Sequence, residues 1–229
     1  MIQIRPFSDS RLENMCSYCG EEPDTRDHVP SRILLDEPFP ENLPVVPCCH
    51  KCNQGFSLDE EYIACLIECV ICGTTEIDRL QREKIRLTLE RNVSLHQKIS
   101  NAMTSENGHV FFNVEVEQLK NVILKLAKGH AKYENSEPIF EEPRHFGFKP
   151  LPIMSQNEID YFFADTELIK SPEVGSRAMQ NLVINKTNKA LSHWTTVQLN
   201  NYSYCVIQTL ESLTVRIIIR NYLAAEMTW

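Results

Sequence analysis

Apolar residues recur every third or fourth position at Val116, Leu119, Val122, Ile123, Leu126 and Ala127, a period that predicts an amphipathic helix ending at Gly129. Ser57-Leu58-Asp59-Glu60 reads as a capping box, so a helix is expected to start there, run to about Ile71 and stop at Gly73. A looser stripe, Ile77, Leu80, Ile85, Leu89 and Ile99, predicts one further helix from Glu76 to about Ser100. The run VFFNVEVE alternates and suits a strand or the lead-in to a helix. After Trp194 the period shortens to two. Strands are expected over about 194–199, 202–208, 213–220 and 222–228, with turns at Asn200-Asn201 and Glu211-Ser212. Near the N-terminus, Thr25 to Ile33 and Leu43 to Val46 read as a hairpin whose prolines (Pro38, Pro40, Pro44) suit an edge with few ladder bonds.

The fold class is therefore α+β: a small N-terminal hairpin unit, a helical middle and a β-rich C-terminal region. Residues 134–152 are rich in Pro and Glu and form the clearest boundary. The expected organisation is 1–73, 74–133, a linker at 134–152, and 153–229. With 229 residues, 42% hydrophobic and 24% charged, the chain can bury a core and is not a disordered sequence. No apolar run marks a secretory signal or a membrane span, and nine cysteines, an odd number, argue against a disulfide scaffold. The expected setting is the cytoplasm. The formal net charge of −8 disfavours unaided binding of nucleic acid, since phosphate contacts draw on Lys and Arg.

The cysteines change the picture most. Cys16 and Cys19 form one C-x2-C pair and Cys49 and Cys52 another, a spacing that suits a four-thiolate Zn2+ site holding a small segment together. Cys48 and His50 break the knuckle spacing and read as flanking residues. Cys65, Cys69 and Cys72 fall at i, i+4 and i+7, the spacing of a buried helical stripe. Between the two pairs lies Asp27-His28-Val29-Pro30, and directly after the second comes Asn53.

Asp-His on a first strand, Asn42 before a second strand and Asn53 at a helix start, bracketed by two thiolate pairs, resemble an HNH (ββα-metal) endonuclease of the zinc-stapled, H-N-N kind. The resemblance spans about residues 14–70. It implies a DNA phosphodiesterase with His28 as general base, Asp27 and Asn53 holding catalytic Mg2+ or Mn2+, and Asn42 shaping the hairpin that orients His28. It also implies relatives in anti-phage defence or mobile elements. The residue types suit that chemistry: a neutral imidazole can take a proton from water near neutral pH, and carboxylate and carboxamide oxygens suit a hard cation. A second expectation is a zinc-stapled nucleic-acid- or protein-binding module without catalysis. The aromatics of the C-terminal region (Trp194, Tyr202, Tyr204, Tyr222, Trp229) and its few basic residues point to a protein partner or a second copy there rather than to DNA.

Overall fold

The computed structural model describes residues 13–41, 43–164 and 194–229. Asn42 and most of 153–193 lie outside them, so the expected role of Asn42 is outside the described residues. In chain order the elements are β1 (Thr25–His28), β2 (Val45–Cys48), α1 (His50–Cys72), α2 (Glu83–Arg91), α3 (Val93–Ala102), β3 (Met103–Glu106), β4 (His109–Phe112) and α4 (Val116–Asn135). They continue with β5 (His145–Pro150), α5 (Gln156–Phe163), β6 (Thr195–Gln198), β7 (Tyr202–Gln208), β8 (Leu213–Ile219) and β9 (Leu223–Thr228). The class is α+β, with five α-helices among the described residues and a C-terminal antiparallel sheet. Among the described residues no helix is long and apolar enough to cross a membrane.

Compactness divides the chain differently from the sequence expectation. One unit comprises Met1–Gly55 with Ile123–Trp229, and the other is Phe56–Val122. The zinc-spaced segment and the C-terminal strands thus belong to one unit, and residues 134–152 do not act as a separating linker. They contain β5, which pairs with β9 along its whole length, from His145↔Thr228 to Pro150↔Leu223. The Trp229 indole N–H also donates to the Glu141 carbonyl at 3.0 Å. An acidic, Pro-rich composition signals a boundary only when its backbone has no partner strand.

The sheet of this unit has the order β5-β9-β8-β7-β6, all antiparallel. Residues opposite one another share a face. Tyr202 and Tyr204 lie opposite Ile219 and Ile217, and all four are buried. That face meets α4: the Tyr202 hydroxyl is 2.8 Å from His130 Nε2, the Tyr204 ring stacks on His130 at 3.6 Å, and its hydroxyl donates to Glu134. The other face packs Ile218 and Ala224 against Phe162 of α5, where Arg216 Nε donates to Glu226 at 2.7 Å. The two tyrosines are core residues, so they no longer argue for a partner surface.

α4 continues past Gly129 to Asn135, so this glycine is not a helix stop. It sits in the helix because there is no room for more. A Cβ there would stand 2.6 Å from Val29 Cγ2 and 3.2 Å from the Tyr18 hydroxyl. Overpacking costs about 1–3 kcal/mol, which outweighs the roughly 1 kcal/mol that Ala gains over Gly in a helix. Gly129→Ala is therefore expected to lower the melting temperature. Val29→Ala in the same chain should return part of the loss, and chemical denaturation of the four-member cycle measures that coupling.

His130 is wholly buried, and its Nδ1 has no hydrogen-bond partner among the described residues. Burial, with a smaller contribution from Lys125, holds its pKa well below the usual 6.5. The unfolded chain therefore binds the extra proton first as pH falls, and stability present above about pH 6.5 is lost below it, by up to about 1.4 kcal/mol per pH unit. Urea midpoints at pH 7.5 and 5.5 should show this loss, reduced in His130→Gln.

In the second unit the long helix expected from Glu76 is broken. The Glu68 carboxylate accepts the backbone N–H groups of Gln81 and Arg82 at 2.9 Å just before α2. Asn92 closes α2 and caps α3 through Leu95 N–H at 3.1 Å. The run VFFNVEVE is both a strand and a helix lead-in: it opens in β4, paired with β3, and its last two residues begin α4. Cys65 and Cys69 are fully buried, and burial raises both thiols, Cys69 to about 12, which agrees with a packing role. Gly73 follows α1 in the left-handed region at φ +64°, where a glycine ends a helix at least cost.

Candidate metal centre and the Asp27–His28 hairpin

The two cysteine pairs are brought together by the hairpin that separates them in sequence. Gly20, at φ +80°, turns the first knuckle, and its N–H donates to the Cys16 carbonyl at 3.0 Å. Ser17 fastens that knuckle to β2 through both its N–H and its hydroxyl, each 2.9 Å from the Pro47 carbonyl. The second pair sits where β2 runs into α1. α1 begins at His50 rather than at the capping box near Ser57, because Asp24 accepts the His50 N–H at 2.6 Å and so caps the helix from outside it.

The Sγ atoms of Cys16, Cys19, Cys49 and Cys52 all lie within 4.8 Å of one another, with Cys19 and Cys49 at 3.7 Å. A tetrahedron built on Zn–S bonds of about 2.3 Å has edges of about 3.8 Å, so the quartet fits a structural Zn2+ ion. Backbone N–H groups already face the sulfurs: Tyr18 N to Cys16 at 3.5 Å and Cys52 N to Cys49 at 3.4 Å. Burial raises the Cys16 thiol, but backbone hydrogen bonds from Cys49, Tyr18 and Cys19 outweigh it and bring it down to about 7. Cys48 stays outside the quartet, its thiol on the Cys49 carbonyl at 3.2 Å.

β1 and β2 pair antiparallel, with Asp27 opposite Val46 and His28 opposite Val45. Asn53 stands in the first turn of α1, its N–H on the Cys49 carbonyl at 3.0 Å. Its carboxamide donates to Thr25 Oγ1 at 3.3 Å and to the Arg26 carbonyl at 3.5 Å. Helix and strand are thereby joined beside the Asp-His pair. His28 is half-buried, and its Nδ1 is enclosed with no hydrogen-bond partner among the described residues. Burial, then Arg32, push its pKa below 6.5, with Asp27 opposing them, so the imidazole is neutral at pH 7.

Asp27 is held otherwise than the resemblance implies. Its side chain is buried, and Lys125 Nζ lies 3.0 Å from Oδ1 and 2.8 Å from Oδ2. The Tyr18 hydroxyl donates to Oδ2 at 2.6 Å, and Lys125 donates to Ser31 Oγ at 2.6 Å. Both oxygens thus face donors, one of them a full positive charge. In this arrangement the residues do not fit a divalent cation at Asp27 and Asn53, because a second cation would sit beside the ammonium in a site with little water to screen them. Lys125 lies 98 positions from Asp27 and carried no local signal in the sequence. What could have pointed to it is the density of Lys125, Lys128, His130 and Lys132 on a helix whose apolar residues also demand burial.

No family model, curated protein or solved structure matches this chain.

Proposed function

We propose that this chain is a zinc-stapled HNH-type endonuclease that hydrolyses DNA phosphodiester bonds with His28 as general base. The reading is carried by the position of a neutral, half-buried imidazole on a hairpin tied to the following helix at the four-cysteine cluster. In this reading the order hairpin, thiolate pair, helix is the ββα unit itself. Zn2+ would be held by Cys16, Cys19, Cys49 and Cys52 and would supply cohesion, leaving the chemistry to other groups. His28 takes the proton from the attacking water, and Asn53 keeps α1 registered on β1 so that the ring holds its place. Mg2+ or Mn2+ at Asp27 belongs to the family pattern, but no step is assigned to it while Lys125 faces that carboxylate.

The binding-module reading has one specific observation in its favour, the same engagement of Asp27 by Lys125. Plasmid nicking separates the two. Zinc-loaded protein should nick supercoiled DNA in the presence of Mn2+, and His28→Ala should lower the rate by about 10²–10⁴-fold, the usual cost of losing a general base. No nicking above the protein-free background, with or without His28, favours the module.

A further inference from the structure

We infer that Lys125 is a built-in cation that keeps the Asp27 carboxylate closed to divalent metal, so that metal reaches this centre only by displacing it. Lys125 and Gly129 are four apart on α4 and therefore share a face. Gly129 lets Val29 and the Tyr18 hydroxyl come close to the helix, and Lys125, one turn earlier, reaches Asp27 on the adjoining strand. The Lys125 side chain is 1% exposed; its ammonium donates to Asp27 Oδ1 and Ser31 Oγ and pairs with Oδ2 at 2.8 Å, while the Tyr18 hydroxyl donates to Oδ2. An ionised carboxylate offers about four lone-pair sites, and these donors engage both of its oxygens.

Such a contact makes metal entry a competition between two cations for one acceptor. The latch deepens the nuclease reading and rests on it only where cleavage is concerned, since occupancy can be read without any substrate. It also gives a chemical form to partner control: whatever moves α4 from the hairpin opens Asp27.

Mn2+ titration of the zinc-loaded full chain, followed by electron paramagnetic resonance, tests it. Wild type should show no Asp27-dependent site tighter than about 1 mM. Lys125→Gln should bind Mn2+ at least about tenfold more tightly, because the like charge is gone while the carboxylate stays. The gain should vanish in Asp27→Asn/Lys125→Gln, and Tyr18→Phe, which leaves the ammonium in place, should gain far less. If Lys125→Gln does not fold, Lys125→Met decides: it fills the same space without a charge or a polar head and should still tighten Mn2+ binding at least about tenfold. Micromolar binding by wild type that disappears in Asp27→Asn would overturn the latch. So would an unchanged affinity in folded Lys125→Gln, or in folded Lys125→Met where it is the variant that decides. Absence of nicking by both wild type and folded Lys125→Gln, in which the carboxylate is open, would sink the nuclease reading and leave these titrations intact.

Discussion

Removing the zinc ion, or one of its thiolates, is expected to unfold the hairpin and the start of α1. β1 and β2 contribute only four residues each, too few to be stable as an isolated hairpin. What joins the two knuckles is the cysteine quartet and the Ser17 contacts with Pro47. Structural zinc in small domains supplies about 10–16 kcal/mol of apparent binding energy, more than most domains have as their whole stability. Cys49→Ala should therefore lose zinc and fold together. Since α4 packs on Val29 and Tyr18, the loss should spread to the unit that contains the C-terminal sheet. Metal analysis and circular dichroism of the variant check this. A variant without zinc that melts like wild type would rule out the four-thiolate staple.

The second large effect concerns Asp27. The resemblance alone implies that Asp27→Ala spares the fold. The structure implies the opposite, because the substitution strands the Lys125 ammonium, 1% exposed, away from water. Breaking a buried pair by deleting one partner costs about 3–5 kcal/mol, a large part of a domain's stability. Replacing both partners, as in Asp27→Asn/Lys125→Met, should cost much less, since no uncompensated charge remains. Urea denaturation of both variants measures the difference. It also bears on how activity data are read: lost cleavage in Asp27→Ala would report unfolding as readily as chemistry, whereas His28, half-buried and with no partner at Nδ1 among the described residues, can be removed at small structural cost.

Local pattern was enough for the C-terminal strands and for the metal quartet. β7 and β8 were expected almost to the residue because their alternation is regular and the turns between them are polar. Cys16, Cys19, Cys49 and Cys52 converge as their spacing implied, because each pair needs only a tight turn and the hairpin closes the gap between them. Where the expectation failed, a distant partner had overridden a local signal. Gly129 resembled a helix stop, yet Val29 and Tyr18 require it within α4. The Ser57 capping box lies inside α1, because Asp24 had already capped the helix seven residues earlier. The stretch at 134–152 looked like a linker until β9 paired with its second half.

The candidate site divides along the same line. Asp27, His28 and Asn53 could be read as a set because β1 and the first turn of α1 are adjacent in a hairpin-helix unit. The engagement of Asp27 could not be read, since Lys125 comes from a helix far along the chain. A motif names side chains; it does not say which other groups reach them in the folded state.

The central claim is that His28, carried on this hairpin, is a general base, and the dependence of cleavage rate on pH tests it most directly. Single-turnover nicking by zinc-loaded protein should rise with pH and level off, with its midpoint below 6.5, because burial and Arg32 hold the imidazole's pKa down. His28→Ala, folded and zinc-loaded, should lose that limb together with about 10²–10⁴-fold of the plateau rate. A protein that nicks equally well without His28, or that leaves DNA intact across the whole pH range even with Lys125→Gln, would contradict the account.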